Sequence, residues 1–143
     1  MRRRSGAAEA EELRLTIQND LGELARVNEL ATELLQRRGA AERVVYATQL
    51  ALEELLSNVI RHGYPDGGRH EIDLVLRVGE DAVELELVDD GREFDPVTAP
   101  EAPLHLPLAE LRVGGLGIHL LRAFVSEIRH ERLANRNFLW LRI

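Results

Sequence analysis

The sequence EIDLVLRVGEDAVELELVDDG, residues 71–91, decides the fold class. Apolar residues occupy every second position over 72–78, and the same alternation resumes over 83–87. A period of two is typical of strands that bury one face. The residues between the two runs, Gly79, Glu80 and Asp81, are typical of a turn. The stretch therefore predicts a β-hairpin, whose strands must be antiparallel because a short turn joins them.

Upstream of this hairpin, the pattern predicts one strand and two helices. Apolar residues at 13, 15 and 17 alternate with polar ones and predict a short strand. Apolar residues at helical spacing then predict a first helix, with Asn19 or Asp20 as its N-cap and Gly39 as its stop. A second helix is predicted over about residues 42–62, with Gly63 ending it.

Downstream of the hairpin, residues 91–113 are rich in proline and predict a long loop, which in a compact domain is usually functional or disordered. A third helix is predicted from the glycines at 114–117 to about residue 125. Residues 127–133 and 138–143 predict two closing strands. The order predicts an α+β two-layer sandwich, in which three helices cover one face of a mixed, mostly antiparallel sheet.

Composition limits the class of protein. The chain has 143 residues, which suits one domain, and we expect 13–143 to form it after a frayed tail at 1–12. Its net charge is −7, which disfavours nucleic-acid binding because affinity for phosphates comes from clustered cations. It has no cysteine, which excludes a disulfide scaffold and a thiolate site. Because no apolar run reaches the roughly 18 residues of a membrane span, we expect a cytoplasmic protein without membrane contact.

The second predicted helix carries the first candidate site. At about 100° per residue, Glu54, Asn58 and His62 fall within an arc of about 80°, whereas Glu53 points elsewhere. A carboxylate and an amide oxygen on one face suit a hydrated Mg²⁺ ion, which prefers oxygen ligands. The carboxylate could instead act as a general base. The competing interpretation is a polar face in water, which is the better one for Glu53.

Two further motifs follow the hairpin. Asp89 ends a buried strand with Gly91 two residues later, so its carboxylate can accept a hydrogen bond from an exocyclic amine; the alternative is an ordinary turn. Gly115, Leu116 and Gly117 open a helix, whose free N–H groups and dipole favour a phosphate; the alternative is a flexible loop end. The spacing is not that of a P-loop, and the chain has no lysine.

Taken in order, these motifs resemble those of the GHKL (Bergerat-fold) ATPases. The residues 52–63, LEELLSNVIRHG, resemble the N box of that family. The residues 89–96, DDGREFDP, resemble its first glycine box, and 114–121, GGLGIHLL, resemble its second. The branch that the chain resembles most is that of the small bacterial anti-sigma-factor serine kinases. The likeness extends over about residues 13–143.

The resemblance implies a role for each matching residue. Asn58 matches the asparagine that coordinates Mg²⁺, and Glu54 matches the glutamate that acts as base. Asp89 matches the aspartate that reads the amino group of adenine, and Gly91 matches the glycine that allows the base to approach. The glycines of the second box match residues whose backbone contacts the ATP phosphates. His62 matches a position near the nucleotide, and 92–113 match a short ATP lid.

Two positions depart from the family pattern. Glu93 stands where the first glycine box often has a second glycine. Arg136 and Asn137 stand where the family often has Gly-Thr, whose threonine assists adenine recognition. Asparagine can also hydrogen-bond a base or a water molecule, so Asn137 remains a candidate nucleotide-binding residue.

Three functions are compatible with these motifs. The resemblance implies an ATP-dependent serine/threonine protein kinase that phosphorylates a STAS-type anti-anti-sigma protein and binds a sigma factor, as a homodimer. The alternative is an ATP-dependent protein-binding switch without catalysis, and the presence of Glu54 favours the enzyme. The third is an α+β interaction domain that binds no nucleotide, which would make three motif matches in the right order coincidental.

Overall fold

The computed structural model describes residues 9–95 and 115–143, which form five strands and three helices. Their order along the chain follows, with the bounds of each element. The elements are β1 (Glu11–Gln18), α1 (Glu23–Arg37), α2 (Glu42–His62), β2 (Glu71–Val78), β3 (Val83–Asp89), α3 (Gly115–Phe124), β4 (Glu127–Leu133) and β5 (Arg136–Arg142). The predicted order of strands and helices, β-α-α-β-β-α-β-β, is confirmed.

The strands form one sheet with the order β1-β2-β3-β5-β4, and every neighbouring pair is antiparallel. The prediction of a mostly antiparallel sheet in an α+β fold is therefore confirmed. The strand β5 lies between β3 and β4, although it is the last of the five in the chain. In the β3–β5 register Asp89 is opposite Asn137, so two predicted site residues meet on adjacent strands.

One face of the sheet is buried against the helices. Alternate residues of β2 and β3 are buried, in keeping with the period of two in the sequence. The apolar stripe of α1 also lies in the core. Complete burial of a leucine or isoleucine side chain stabilises the folded state by about 1.5–3 kcal/mol. The largest fully buried side chains are Ile17, Leu35, Leu52, Leu55, Leu56, Ile72, Leu74, Leu76, Leu85, Leu87, Leu121 and Leu141.

The start of α1 differs from the prediction. The helix begins at Glu23 with Gly22 as its N-cap, and no side chain caps it. Asp20 instead accepts a hydrogen bond from the Gly22 N–H at 2.9 Å. The Asn19 carboxamide binds the loop before β2, accepting from the His70 N–H at 2.9 Å. Both predicted caps therefore hold turns outside the helix.

Other boundaries differ by a few residues. The predicted tail of 1–12 overlaps β1, which begins at Glu11, where the Glu11 carboxylate forms an ion pair with Arg37. The strand β5 begins at Arg136, two residues before the predicted start. Most of the predicted loop and ATP lid, from residue 96 to 113, lies outside the described residues, as do residues 1–8. Within the described parts of the chain, no helix is both long and apolar enough to cross a membrane.

Candidate functional site

A cavity of about 260 Å³ lies between the C-terminal half of α2 and the ends of β3, β4 and β5. Its walls combine apolar side chains with a few polar groups, as ligand sites usually do. The residues that line it are Leu55, Asn58, Val59, His62, Gly63, Leu87, Asp89, Arg92, Glu93, Phe94, His130, Asn137 and Leu139. Four of the predicted site residues, at positions 58, 62, 89 and 137, are among them.

Asp89 is the buried acid of this cavity. Only 4% of its surface is exposed, at the end of β3. Its Oδ1 accepts a hydrogen bond from the Gly91 N–H at 2.9 Å and another from Asn137 Nδ2 at 3.0 Å. A buried carboxylate needs such donors, because burial without them is costly. The two bonds hold the carboxylate in one orientation at the cavity.

The end of α2 and the turn after β3 cross at two glycines. The Arg92 N–H donates to the carbonyl oxygen of Gly63 at 2.8 Å. A Cβ atom on Gly91 would lie 2.9 Å from Asp89 Oδ1 and 3.0 Å from the Gly63 oxygen. The position therefore requires glycine, because a methyl group would overlap both atoms. The close approach seen at Gly91 is that of Gly63, the residue that caps α2, and the predicted role of Gly91 toward a base stays a prediction.

Asn137 is the second buried polar residue of the cavity, with 5% of its surface exposed. Besides its bond to Asp89, its Nδ2 donates to the carbonyl oxygen of Arg92 at 3.0 Å and lies 3.3 Å from that of Gly91. Arg132 Nη1 donates to the same Gly91 oxygen at 2.6 Å. The residue that departs from the family pattern thus joins β5 to β3 and to the turn that follows it.

The polar face of α2 lies along the cavity. Asn58 and His62 line it, while the Glu54 carboxylate lies one turn earlier and outside the lining set. Glu53 is exposed, in keeping with its interpretation as a residue in water. Two atoms on this face, Glu54 Oε2 and Asn58 Nδ2, are buried without a hydrogen-bond partner among the described residues. Unsatisfied buried polar atoms are rare: the Glu54 oxygen calls for a donor or a cation, whereas the Asn58 amide nitrogen, which can only donate, calls for an acceptor.

The acidity of Glu54 reflects its surroundings. Burial raises the pKa of its carboxyl above the usual value, and the nearby charge of Glu53 raises it further. Arg61 acts in the opposite direction and lowers the pKa of Glu54. A carboxylate with a raised pKa takes up a proton more readily, which suits a general base.

The predicted phosphate-binding residues lie at the start of α3. Gly115, Leu116 and Gly117 form its first turn. The first N–H groups of a helix have no partner within the helix, and together with the helix dipole they favour an anion. Gly114, which precedes α3, lies outside the described residues.

Sequence reasoning missed two polar residues on the edge strand β4. His130 lines the cavity, and its Nε2 lies 3.2 Å from Asn137 Oδ1. Arg132 supports the turn at Gly91, as described above. The signal that could have found them is the alternation of 127–133, which places residues 128, 130 and 132 on the helix-covered face. Because both residues are polar, hydropathy alone does not mark them as part of a buried face.

A second polar cluster surrounds His70, outside the set of residues that line the cavity. His70 lies between two carboxylates, with Nε2 2.9 Å from Asp66 Oδ2 and Nδ1 3.1 Å from Asp90 Oδ1. These bonds, to Asp66 first and Asp90 second, raise the pKa of His70. The Tyr64 ring stacks on the imidazole with centroids 4.4 Å apart.

Comparison with known proteins places this geometry in a family. Residues 17–143 match the family described as the histidine kinase-like ATPase domain. The serine/threonine-protein kinase BtrW of Bordetella bronchiseptica is 31% identical over 99 residues, which cover 69% of this chain and 70% of the relative. The serine-protein kinase RsbW of Bacillus subtilis is 28% identical over 102 residues, covering 64% of this chain and 63% of the relative.

The aligned part thus spans between about three fifths and seven tenths of these relatives. The RsbW of Oceanobacillus iheyensis is 28% identical over 97 residues, covering 65% of this chain and 61% of its own. A solved structure of the RsbU and RsbW domains of Rv1364c from Mycobacterium tuberculosis aligns with a TM-score of 0.62 and 20% identity, covering 92% of this chain and 32% of that one. That likeness shows the fold. The chain belongs to the histidine kinase-like ATPase domain family, in the branch that contains BtrW and RsbW.

Proposed function

We propose that this protein is an ATP-dependent serine/threonine protein kinase that phosphorylates a STAS-type anti-anti-sigma protein and binds a sigma factor. The observation that carries the proposal is the buried Asp89 at one end of a cavity whose α2 wall bears Asn58, with Glu54 one turn away. The relatives named above are serine- or serine/threonine-protein kinases, which supports the choice of activity.

The base-binding end of the site is the part that Asp89 organises. Because Gly91 and Asn137 both bind Oδ1, the other oxygen can accept a hydrogen bond from the exocyclic amine of adenine. Leu55, Val59 and Leu87 give this end apolar walls, which suit the faces of a purine ring. In this proposal Gly63 and His62 border the nucleotide.

The phosphate-binding end combines Asn58 with the first turn of α3. Mg²⁺ usually keeps several waters and is held by one or two protein oxygens and the phosphates of the substrate. A single amide oxygen on α2 fits that pattern. The described residues contain no cluster of three or more acids or histidines that could hold a metal by itself. Asn58 would hold Mg²⁺ through its amide oxygen, and the ion would supply neutralising charge. The N–H groups at Gly115, Leu116 and Gly117 would bind phosphate oxygens.

Glu54 is the proposed general base. In the transfer, the hydroxyl oxygen of the acceptor serine or threonine forms a bond to the γ-phosphorus of ATP. The bond between that phosphorus and its bridging oxygen breaks, which leaves ADP, and the hydroxyl proton passes to Glu54. Its buried Oε2 has no partner among the described residues, so it is available to receive that proton. Phosphoryl transfer relies mainly on such positioning and on neutralised charge.

The proposed regulation is partner switching. The unphosphorylated STAS-type protein and the sigma factor compete for the kinase, and nucleotide controls which is held. The net charge of −7 suits basic surfaces on protein partners. A sigma factor acts in the cytoplasm, so the proposal implies that compartment. Residues 13–143 act as a single domain in this proposal.

We also propose that the protein works as a homodimer. The apolar stripe of α1 is already buried in the core, which leaves an exposed strand as the source of the contact. The sheet face away from the helices exposes Phe138, beside Trp140, whose ring lies 4.9 Å from the Arg129 guanidinium. One chain has a mass of 16.1 kDa, and light scattering on the purified protein should give twice that mass.

The first test of the function is a pair of variants on α2. Glu54→Gln should lower phosphate transfer from labelled ATP to a STAS-type acceptor by about 100-fold or more, because it removes the base. The same variant should bind Mg·ATP with nearly unchanged affinity in calorimetry. Glu42→Gln is the control, since Glu42 is an exposed glutamate at the opposite end of the same helix.

Three outcomes of these measurements are decisive. Normal transfer by Glu54→Gln would show that Glu54 is not the base. Binding of Mg·ATP by the wild type, lost in Asp89→Asn, together with no transfer to any STAS-type acceptor, would favour the non-catalytic switch. Absence of Mg·ATP binding by folded wild-type protein would contradict the nucleotide site itself.

A further inference from the structure

His130 is a buried imidazole on an edge strand whose neighbouring residues face water. Its side chain is only 6% exposed, whereas Arg129 and Glu131 on either side are exposed. It lines the same cavity as Asp89 but does not contact that acid: its Nε2 faces Asn137, and its Nδ1 lies 3.9 Å from Asp95 Oδ1. Burial of an imidazole calls for a hydrogen-bond partner, so the contact with Asn137 bears on what His130 does.

The surroundings of Asn137 fix which way its carboxamide points. Its Nδ2 faces three acceptors, which are the Asp89 carboxylate and the carbonyl oxygens of Gly91 and Arg92. The opposite orientation would place Oδ1 against three oxygens. Nitrogen therefore lies on that side, and Oδ1 faces His130 Nε2 at 3.2 Å. Because Oδ1 can only accept, His130 must donate, and its Nε2 carries a proton.

The hydrogen bonds lead from His130 through Asn137 to the carboxylate of Asp89. A carboxylate oxygen has two favourable acceptor positions. Both positions of Oδ1 are taken, one by the Gly91 N–H and one by Asn137 Nδ2. The hydrogen bonds of this carboxylate with described residues all end on Oδ1. An incoming base therefore meets Oδ2, whose position depends on Asn137 and, through it, on His130.

We propose that His130 is a positioning residue for base selection, which holds Asn137 so that Asp89 presents a fixed Oδ2 to a 6-aminopurine and not to a 6-oxopurine. The inference rests on the proposed nucleotide site. His130 acts through Asn137 and does not itself touch the base. A 6-amino group donates to Oδ2, whereas a 6-oxo group places one acceptor against another and gains nothing from a well-placed carboxylate.

The test compares ATP with inosine triphosphate, which carries a 6-oxo group. Calorimetry with Mg²⁺ and each nucleotide gives Kd for wild type and for His130→Phe, which keeps a ring but cannot donate. We expect the Kd for ATP to rise about tenfold in this variant, as for the loss of one buried hydrogen-bond partner. The Kd for inosine triphosphate should stay within about twofold, so the selectivity falls about tenfold.

Two further variants separate positioning from packing. His130→Gln has an amide N–H that can donate to Asn137, and it should keep the ATP selectivity within about threefold of the wild type. Glu131→Gln, on the neighbouring exposed position, is the matched control and should leave both affinities unchanged. Should His130→Phe fail to fold, His130→Ala carries the same expectation.

A double-mutant cycle tests the route through Asn137. In an Asn137→Ala background, the substitution His130→Phe should cause no further loss of selectivity, because the residue through which it acts is gone. Additive losses would overturn the proposal, as would equal weakening of both nucleotides by His130→Phe alone. Binding of neither nucleotide by wild-type protein would instead overturn the proposed function, and the inference with it.

Discussion

Gly91 is the residue at which the fold and the candidate site constrain each other most closely. A Cβ there would meet Asp89 Oδ1 at 2.9 Å, the Gly63 oxygen at 3.0 Å and the Gly63 Cα at 3.1 Å. Two of these three contacts are with backbone that cannot rotate away. The third is with the carboxylate that faces the cavity, so a side chain at this position disturbs the site directly.

Gly91→Ala should therefore destabilise the protein by about 1–3 kcal/mol, the usual effect of overpacking, and weaken ATP binding as well. Urea denaturation and calorimetry measure the two effects. The matched control is Gly22→Ala, because the backbone at Gly22 is already helical and the nearest atom to an added Cβ is the end of the Asp20 side chain, at 3.3 Å. Equal stability of the two variants would contradict the close crossing at Gly63.

The residues of the site divide into those that the sequence predicts and those that it does not. Asn58 and Asp89 are predicted from local motifs and Asn137 from its match to a position of the resembled family, and all three meet at one cavity. His130 is not predicted, because its importance depends on the pairing of β4 with β5 and on burial at a sheet edge. The alternation of 127–133 places position 130 on the inner face of the sheet, but a histidine among charged residues does not by itself indicate that it belongs to the site.

At the level of elements, the turn between β4 and β5 stores backbone strain. Leu133 pairs with Arg136, so the turn has two residues, Ala134 at φ 52° and Asn135 at φ 61°. Positive φ at both positions is typical of the turn that matches the twist of a hairpin. Asparagine tolerates this conformation, whereas alanine pays about 1–2 kcal/mol for it through its Cβ.

Ala134→Gly should consequently stabilise the protein by about 1 kcal/mol, because relief of this strain outweighs the greater freedom of glycine when unfolded. The measurement is the urea midpoint at constant slope. Ala82→Gly, in the turn before β3, is the control. The φ of Ala82 is not positive, so this variant should be less stable than the wild type by about 0.5–1 kcal/mol. A loss of stability in Ala134→Gly would show that the turn is not strained.

Elements were predicted well where packing and local chemistry agree. The bounds of α2 were predicted at both ends, because its apolar stripe is long and Gly63 ends it. The start of α1 was predicted wrongly, because Asn19 and Asp20 are good caps by type but make their hydrogen bonds to the loop before β2 and to Gly22. Competition of this kind for one side chain is decided by tertiary structure.

At the scale of the whole molecule, His70 connects distant parts of the chain. Its backbone N–H and carbonyl oxygen both bind Asn19 at the end of β1, at 2.9 and 3.0 Å. Its ring binds Asp66 in the loop after α2 and Asp90 after β3, while Tyr64 stacks on it. The hydrogen bonds to Asp66 and Asp90 raise the pKa of His70 in the folded protein above its usual value of 6.5.

This raised pKa gives the stability a defined pH dependence. The contribution of protonated His70 is fully present below about pH 6.5 and is lost as the pH rises through the higher folded pKa. His70→Gln should remove that part of the slope, so the wild type should lose stability relative to the variant as the pH is raised. Thermal melts at several pH values measure the difference. Gln36→Ala, at an exposed position without a titrating group, should keep the wild-type slope.

The position of β5 has a consequence for how the protein is made. When a ribosome has synthesised the chain as far as β3, that strand is an open sheet edge, and its final residue Asp89 lacks the partner opposite it. Nearly fifty further residues must be added before Asn137 can pair there. Nucleotide bound at the proposed site can therefore stabilise the folded state only late in synthesis, because that site requires the last strand. Until then the nascent chain has an exposed sheet edge and an incomplete cavity.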